Sequence, residues 1–211
     1  MKYSLDNFVK NYISNLHNYS FLEIIGEGAN GVVCKAVQKS TGQLVAIKML
    51  KFHEDSELQK SAYQVARFER ETSLYAEMNH PHIVKLLDKG YVNEYEPYAV
   101  FEYLSGETLG EWITSRKGVL ATETGVLMGQ VLDAIAYAHK KGIIHRDLKP
   151  DNIMVMITCS RSHAKILDFG IGLFTRDHHK YKDNDQGLVQ KMVGTPAYCA
   201  PEQLRGEPPT V

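Results

Sequence analysis

His145-Arg-Asp-Leu-Lys-Pro-Asp-Asn152 is the stretch that decides how this chain of 211 residues folds and what it can do. Asp147 and Asn152 fall in one short loop, which the fixed φ of Pro150 helps to stiffen. The spacing lets a carboxylate face a substrate hydroxyl while a carboxamide oxygen faces a hard cation. Lys149 adds a positive charge between them. The loop thus carries the groups that phosphoryl transfer needs: a proton acceptor, a magnesium ligand and a cation for the phosphate oxygens.

A glycine-rich segment, Gly26-Glu-Gly-Ala-Asn-Gly31, precedes this loop and follows a strand pattern over 21–25. Its glycines let the backbone turn tightly and approach a polyphosphate. On its own, the pattern fits a dinucleotide-binding fold about as well. A dinucleotide-binding fingerprint would open a helix, whereas here a second strand over 32–37 and a hairpin turn over 39–42 follow. The segment therefore predicts a flap over the phosphates of ATP, between two antiparallel strands.

Lys48 lies in the middle of a third predicted strand, 44–50. A lone lysine in a strand is usually solvated, but after this glycine loop it is predicted to bind the α- and β-phosphates. Such a lysine needs an anion beside it. A helix predicted from about 56 to 78 offers Glu69 and Glu71. A surface charge pair is the alternative for either glutamate, and it is preferred for Glu69.

Strand patterns over 83–87 and 98–104 complete a predicted five-stranded antiparallel sheet. Apolar residues at helical spacing over 5–16 predict a short amphipathic helix ahead of the sheet. This helix is expected to pack on the sheet lobe, with docking of another domain as the less favoured interpretation. The polar run 105–108 marks the predicted boundary between two lobes. The predicted organisation is an N-terminal extension, a first lobe and a second lobe: 1–18, 19–104 and 105–211.

The second lobe begins with a helical pattern, and a long helix is predicted over 122–141. Gly142 follows as a helix C-cap, and the His145 loop comes directly after it. Beyond the loop, 153–157 and 164–167 predict a hairpin whose second strand runs into Asp168-Phe-Gly170. Because the long helix is its largest predicted element, the second lobe is expected to be mainly helical, with this hairpin as an exception.

Together, these motifs resemble the catalytic domain of eukaryotic-type (Hanks-type) serine/threonine protein kinases, from about Tyr19 to Arg205. The resemblance implies an α+β, bilobal protein-kinase-like fold. It also implies ATP-dependent transfer of the γ-phosphoryl group to Ser or Thr hydroxyls of proteins, with autophosphorylation as one option. Gly194-Thr-Pro196 and Lys149 resemble the Ser/Thr branch rather than the tyrosine branch. Pro201-Glu-Gln-Leu204 resembles bacterial members of the family.

The resemblance also implies a role for each motif residue. Asp147 would accept the hydroxyl proton, Lys149 would steady the transferring group, and Lys48, braced by Glu71, would hold the phosphates. Asn152 and Asp168 would bind Mg²⁺. The positions implied to contact ATP are Gly26, Glu27, Gly28, Ala29, Asn30, Gly31, Val33, Ala46, Lys48, Phe101, Glu102, Leu104 and Met154.

Within that set, Phe101 would stand at the back of the adenine pocket and 102–104 would be the hinge. Val33, Ala46 and Met154 would sandwich the base. Asn30 departs from the aromatic or Ser that the family usually has at the tip of the loop.

Two further segments follow the family pattern. The first is a stack of side chains, the regulatory column of the family, for which the resemblance implies His145, Phe169, Tyr75 and Leu86. The second is residues 171–193, which predict a mobile activation segment ahead of a substrate-docking motif over 194–202.

Composition excludes several other classes. The chain is 44% hydrophobic and 23% charged with a net charge of −1, so electrostatics does not suggest a nucleic-acid or membrane partner. No apolar run approaches a membrane span, and the first residues lack a signal-peptide core. The three cysteines are scattered, which favours a reducing, cytoplasmic setting over a disulfide framework.

The sequence ends at Val211, soon after Glu202, so the resemblance predicts a second lobe that is incomplete, with further domains expected C-terminal to this fragment. The competing hypothesis is a catalytically inactive ATP-binding or docking module, since a truncated lobe would expose apolar surface. Intact Lys48, Asp147, Asn152 and Asp168 argue against a decayed site. A small-molecule phosphotransferase would share the magnesium site but should lack residues 194–202.

Overall fold

Two compact units make up the chain: residues 1–73 with 85–103, and residues 74–84 with 104–211. The structure is a computed structural model. It describes residues 9, 12–28, 31–50, 58–93, 96–116, 121–159, 161–169, 173–174, 195–205 and 207, with backbone alone for 58–63 and 173–174.

A five-stranded antiparallel sheet forms the first unit, which confirms the predicted sheet. Its strands, in the order β1-β2-β3-β5-β4, are β1 Tyr19–Gly28, β2 Gly31–Gln38, β3 Leu44–Met49, β4 Leu86–Tyr91 and β5 Pro97–Glu102. The predicted position of the fourth strand, 83–87, was wrong, because β4 begins at Leu86 and not at Ile83. Ile83 and Val84 are buried in the second unit instead, where Ile83 pairs with Ile166. The predicted strand 83–87 is therefore divided between the two units, with Ile83 and Val84 in the second and the rest in the first.

Side chains alternate along β2 and β3, so the sheet has two chemically different faces. The fully apolar face carries the buried residues Val32, Cys34, Ala36, Val45, Ile47 and Met49. Burial raises the pKa of the Cys34 thiol to about 12, so this thiol stays protonated and unreactive at neutral pH. The opposite face carries Val33, Ala46 and Lys48, which are partly buried.

The N-terminal segment packs on the fully apolar face. Its buried members, at most 7% exposed and part of the same cluster, are Val9, Tyr12, Ile13 and Leu16. The Tyr12 hydroxyl lies 3.0 Å from the carbonyl oxygen of Glu96 and 3.1 Å from that of Pro97, to which it donates. Burial raises the pKa of Tyr12, with the nearby Glu96 as a second cause. Leu5 and Phe8 lie outside the described residues.

Helix α1, Leu58–Ala76, was predicted over about 56 to 78. Phe68, Thr72 and Tyr75 lie on its buried side. The first two residues of the predicted helix, 56 and 57, are outside the described residues. From Leu74 onward the helix belongs to the second unit.

The second unit contains helices α2 Leu109–Ser115, α3 Ala121–Lys140 and α4 Pro201–Leu204. The long predicted helix is confirmed as α3, and its buried residues are Leu127, Val131, Ala134 and Ala138. Gly142 caps it as predicted, with a φ of 73° and an N–H that donates to the His139 carbonyl at 2.8 Å. Among the described residues, no helix is long and apolar enough to cross a membrane.

Five short strands are found among the described residues of the second unit. Strands β6 Glu107–Thr108, β8 Ile153–Thr158 and β9 Arg161–Ile166 form one sheet, while β7 Ile143–Ile144 pairs with β10 Leu173–Phe174. The polar run predicted as a lobe boundary is therefore partly structured. Thr108 also caps α2 through a reciprocal pair of bonds with Glu111. The bonds from Thr108 hold the pKa of the Glu111 carboxyl below its usual range.

Candidate active site

The glycine-rich segment turns between β1 and β2, where Gly28 is paired with Gly31. Gly31 has a φ of 131°, and a Cβ there would stand 2.0 Å from the carbonyl oxygen of Met49. Only glycine fits such a position. A Cβ on Gly28 would meet nothing within 4 Å, so open space lies beside that residue. Ala29 and Asn30 are outside the described residues.

Lys48 forms an ion pair with Glu71, the glutamate that the sequence favoured. The lysine side chain is 13% exposed and the glutamate 6%. Glu69 instead lies 3.3 Å from Lys89 Nζ in a surface pair that is 35% and 40% exposed. These contacts support the preference for Glu71 as the partner of Lys48. Glu69 forms a surface charge pair, as expected, but its partner Lys89 lies in β4 and not in the helix of Glu69.

Several predicted ATP-contacting residues share the sheet face of Lys48. Val33 is paired directly with Lys48, and Ala46 is paired with Phe101. Glu102 ends β5, where its N–H donates to the Lys85 carbonyl at 3.0 Å and its carboxylate accepts from the Lys85 N–H at 2.8 Å. Leu104 and Met154, the remaining members, belong to the second unit.

In the second unit, Asp147 is held by groups from its own loop and from residue 195. Its Oδ1 accepts from the backbone N–H of Thr195 at 2.9 Å and from the Thr195 hydroxyl at 2.8 Å. Lys149 Nζ lies 3.3 Å from Asp147 Oδ2 and donates to the same hydroxyl at 2.9 Å. A carboxylate held this firmly, beside a cation, has the preorganised geometry that acid–base chemistry requires.

Asn152 is oriented by a bond in the same loop. Its Nδ2 donates to the carbonyl oxygen of Asp147 at 2.8 Å, so Oδ1 is the end of the amide that remains to accept or to bind a cation. The backbone carbonyl of Asn152 accepts from the backbone N–H of Leu167 at 2.9 Å. Asp168 is the next residue after Leu167, so this bond ties the segment of Asp168 to the loop of Asn152. An amide oxygen and a carboxylate are hard ligands, so these residues fit Mg²⁺.

Tyr75 brackets Asp168 with its hydroxyl. The hydroxyl donates to the carbonyl oxygen of Leu167 and accepts from the N–H of Phe169 at 3.0 Å. The rings of Tyr75 and Phe169 meet edge to face at 5.7 Å, and the ring of His145 lies 4.4 Å from that of Phe169. The sequence placed these three residues in one column, yet no pattern indicated the two hydrogen bonds. Leu86, the fourth predicted member, lies in β4 of the first unit.

The profile described as "Protein kinase domain" matches residues 19–210 of this sequence. The chain belongs to the protein kinase family. Membership confirms the resemblance drawn from the motifs.

Several curated kinases are similar to this chain. Calcium-dependent protein kinase 5 of Plasmodium berghei is 36% identical over 183 residues, covering 87% of this chain and 30% of that protein. "Probable serine/threonine-protein kinase PknB" of Bifidobacterium longum is 35% identical over 197 residues, covering 90% and 27%. Serine/threonine-protein kinase pkn3 of Myxococcus xanthus is 37% identical over 194 residues, covering 90% and 34%. The chain thus spans between 27 and 34% of the length of these kinases.

Parts of the kinase pattern fall outside the described residues. These are Ala29 and Asn30 of the glycine loop, Gly170 of the Asp-Phe-Gly motif, Gly194, and 171–193 apart from strand β10. The magnesium and nucleotide contacts assigned from the sequence stay predictions at every position, described or not.

His145 is expected to make the stability of the metal-free kinase fold depend on pH. Burial lowers the pKa of His145 from 6.5 to about 4, against the opposing attraction of Asp168 and Asp147. Its Nδ1 accepts from the Asp147 N–H at 3.2 Å, which requires the neutral ring.

Between pH 6.5 and 4 the unfolded chain binds a proton that the folded chain does not, so the free energy of unfolding falls as the pH is lowered. The loss should total about 3 kcal/mol over this range. Urea unfolding in EDTA, compared between the parent and His145→Phe, measures it. Equal pH slopes in the two proteins would contradict the buried, neutral histidine.

Proposed function

We propose that this chain is the catalytic part of a protein serine/threonine kinase that transfers the γ-phosphoryl group of Mg-ATP to protein hydroxyls. The observation that carries the proposal is the environment of Asp147, whose carboxylate is fixed by Thr195 and lies beside Lys149. The Thr195 N–H, the Thr195 hydroxyl and the Lys149 ammonium group hold this carboxylate in one orientation, as a positioned proton acceptor requires.

Asp147 accepts the proton of the incoming hydroxyl. Its Oδ1 is engaged with Thr195, while Oδ2 lies 3.3 Å from both Lys149 Nζ and Asn152 Nδ2. Lys149 lies beside this carboxylate, and the charge of its ammonium group is also available to the transferring phosphoryl group. The substrate alcohol is a Ser or Thr side chain, as the Gly-Thr-Pro segment at 194–196 supports.

Lys48 binds the α- and β-phosphates, and Glu71 orients it by a buried ion pair. The open space beside Gly28 lets the backbone of the glycine loop approach the phosphate oxygens. Val33 and Ala46, on the sheet face of Lys48, contact the adenine together with Met154, and Phe101 closes the back of the pocket. Because the N–H of Glu102 is taken by Lys85, Glu102 contributes its carbonyl to the adenine edge and Leu104 contributes its N–H.

Asn152 Oδ1 and the Asp168 carboxylate hold the magnesium ion. When bound, Mg²⁺ supplies positive charge for the phosphate oxygens. Tyr75 fixes the backbone on both sides of Asp168, which limits the positions that this carboxylate can take. We further propose a cytoplasmic location, since all three cysteines are free thiols. The three-part division at residues 18/19 and 104/105 is proposed as the functional organisation of the chain.

Radiolabelled ATP with a generic protein acceptor tests the proposed function. Label should appear on the acceptor only when Mg²⁺ is present, and EDTA should abolish it. Acid hydrolysis of the product should release phosphoserine and phosphothreonine. Phosphotyrosine as the main product, or label transferred to small alcohols and not to protein, would contradict the assignment.

A further inference from the structure

The side chain of Gln203 connects helix α4 to the His145 loop. Its Nε2 donates to the carbonyl oxygen of Arg146 at 2.7 Å, and its Oε1 accepts from the backbone N–H of Ala200 at 3.2 Å. The chemistry fixes the orientation of this amide, since a carbonyl can only accept and an N–H can only donate. Gln203 follows Glu202 of the Ala-Pro-Glu motif, and none of the roles assigned to the motif residues falls on it.

The carbonyl that Gln203 holds belongs to a residue in an uncommon backbone conformation. Arg146 has a φ of 68°, in the left-handed region that is disfavoured for residues other than glycine. Such a conformation persists when surrounding bonds determine it. The peptide bond between Arg146 and Asp147 starts at this carbonyl, so its direction sets where the Asp147 side chain begins.

One short segment therefore holds Asp147 from two sides. Thr195 binds the Asp147 carboxylate through its N–H and its hydroxyl, and Gln203 binds the preceding carbonyl. A turn of 3₁₀ helix at Pro196–Tyr198 and then helix α4 join the two residues. The second attachment stabilises the peptide that Thr195 alone would leave able to rotate.

We propose that Gln203 is a positioning residue for Asp147, acting through the Arg146 carbonyl. This inference rests on the proposed function for its catalytic consequence. Removing the amide lets Arg146 leave its left-handed conformation and the 146–147 peptide change direction, so the carboxylate is less often placed to accept a proton. ATP binding uses other residues and stays unchanged.

Three variants of the chain of residues 1–211 test the proposal. Gln203→Met keeps the size of the side chain without hydrogen bonds, and Gln203→Glu places a carboxylate oxygen against the Arg146 carbonyl. Both should lower kcat about three- to ten-fold, the value of one hydrogen bond, while the KM for ATP stays within about two-fold. Gln130→Met is the matched control, since Gln130 also uses both ends of its amide, on Ser162 and Ala164 of strand β9.

A second readout does not depend on turnover. Hydrogen exchange of the backbone N–H of Asp147 should become faster in Gln203→Met and stay at the parental rate in Gln130→Met. Equal kcat losses in the two methionine variants, or unchanged exchange at Asp147 in Gln203→Met, would overturn the proposal. Absence of any phosphoryl transfer by the parent chain would instead count against the proposed function, and the exchange experiment would still decide the role of Gln203.

Discussion

Replacing Asp147 with Asn is expected to lower kcat for protein phosphorylation by about 10²–10⁴-fold, the usual contribution of a positioned proton acceptor. An amide cannot take the proton of the incoming hydroxyl. The KM for ATP should change little, because Asp147 is not among the residues proposed to bind the nucleotide. Steady-state phosphorylation of a generic protein acceptor at several ATP concentrations separates the two parameters.

The fold should tolerate this change. The introduced amide would keep an oxygen for the N–H and hydroxyl of Thr195, which now bind Asp147 Oδ1. Its NH₂ group would face Lys149 Nζ and Asn152 Nδ2, both donors, in place of the present Oδ2. That contact disfavours the native side-chain position by an amount comparable with a lost hydrogen bond, about 1–3 kcal/mol. The loss of activity should therefore greatly exceed the loss of folded protein.

Asp151→Asn is the matched control for this prediction. It removes an exposed carboxylate from the same loop, and no role in the transfer is assigned to it. Its kcat should equal that of the parent. If Asp147→Asn and Asp151→Asn retain similar activity, Asp147 is not the proton acceptor and the assignment of the loop fails.

The sheet and the long helix could be predicted because each gives a periodic signal that local sequence carries. Alternation along β2 and β3 separates an apolar face from the face of Lys48, and helical spacing marks α3. The start of β4 could not be predicted in the same way. The run from Ile83 to Leu87 is apolar except for Lys85, and only the pairing of Ile83 with Ile166 removes its first residues from the strand.

The parts of the site that depend on distant hydrogen bonds were also beyond sequence analysis. Motif spacing indicated Asp147, Asn152 and Asp168, since these residues must come from one loop and one strand end. The bonds of Gln203 to Arg146 and of Tyr75 to the backbone around Asp168 join positions 57 and up to 94 residues apart. No local pattern marks a glutamine or a tyrosine for such contacts, because the residues next to it in the sequence do not show which distant backbone group it will meet.

Lys48→Met should be strongly destabilising as well as inactive. The variant removes the positive charge from Glu71, which is 6% exposed, and breaking a buried ion pair in this way costs about 3–5 kcal/mol. Adding Glu71→Leu removes the buried carboxylate and should restore most of the free energy of unfolding. Activity should not return, because the lysine proposed to bind the α- and β-phosphates is still missing. Urea unfolding and phosphoryl transfer, measured on both variants, separate these two consequences.

The surface pair Lys89 and Glu69 provides the comparison for that experiment. Its side chains are 40% and 35% exposed, so water and salt screen their attraction. Lys89→Met should cost less than about 1 kcal/mol and leave turnover unchanged. Because the same substitution is made at both lysines, the difference between the two costs measures burial rather than the loss of a methylene chain or a charge. If Lys48→Met were no more destabilising than Lys89→Met, Glu71 would not be buried against Lys48 in solution, and its role in bracing the lysine would fall with it.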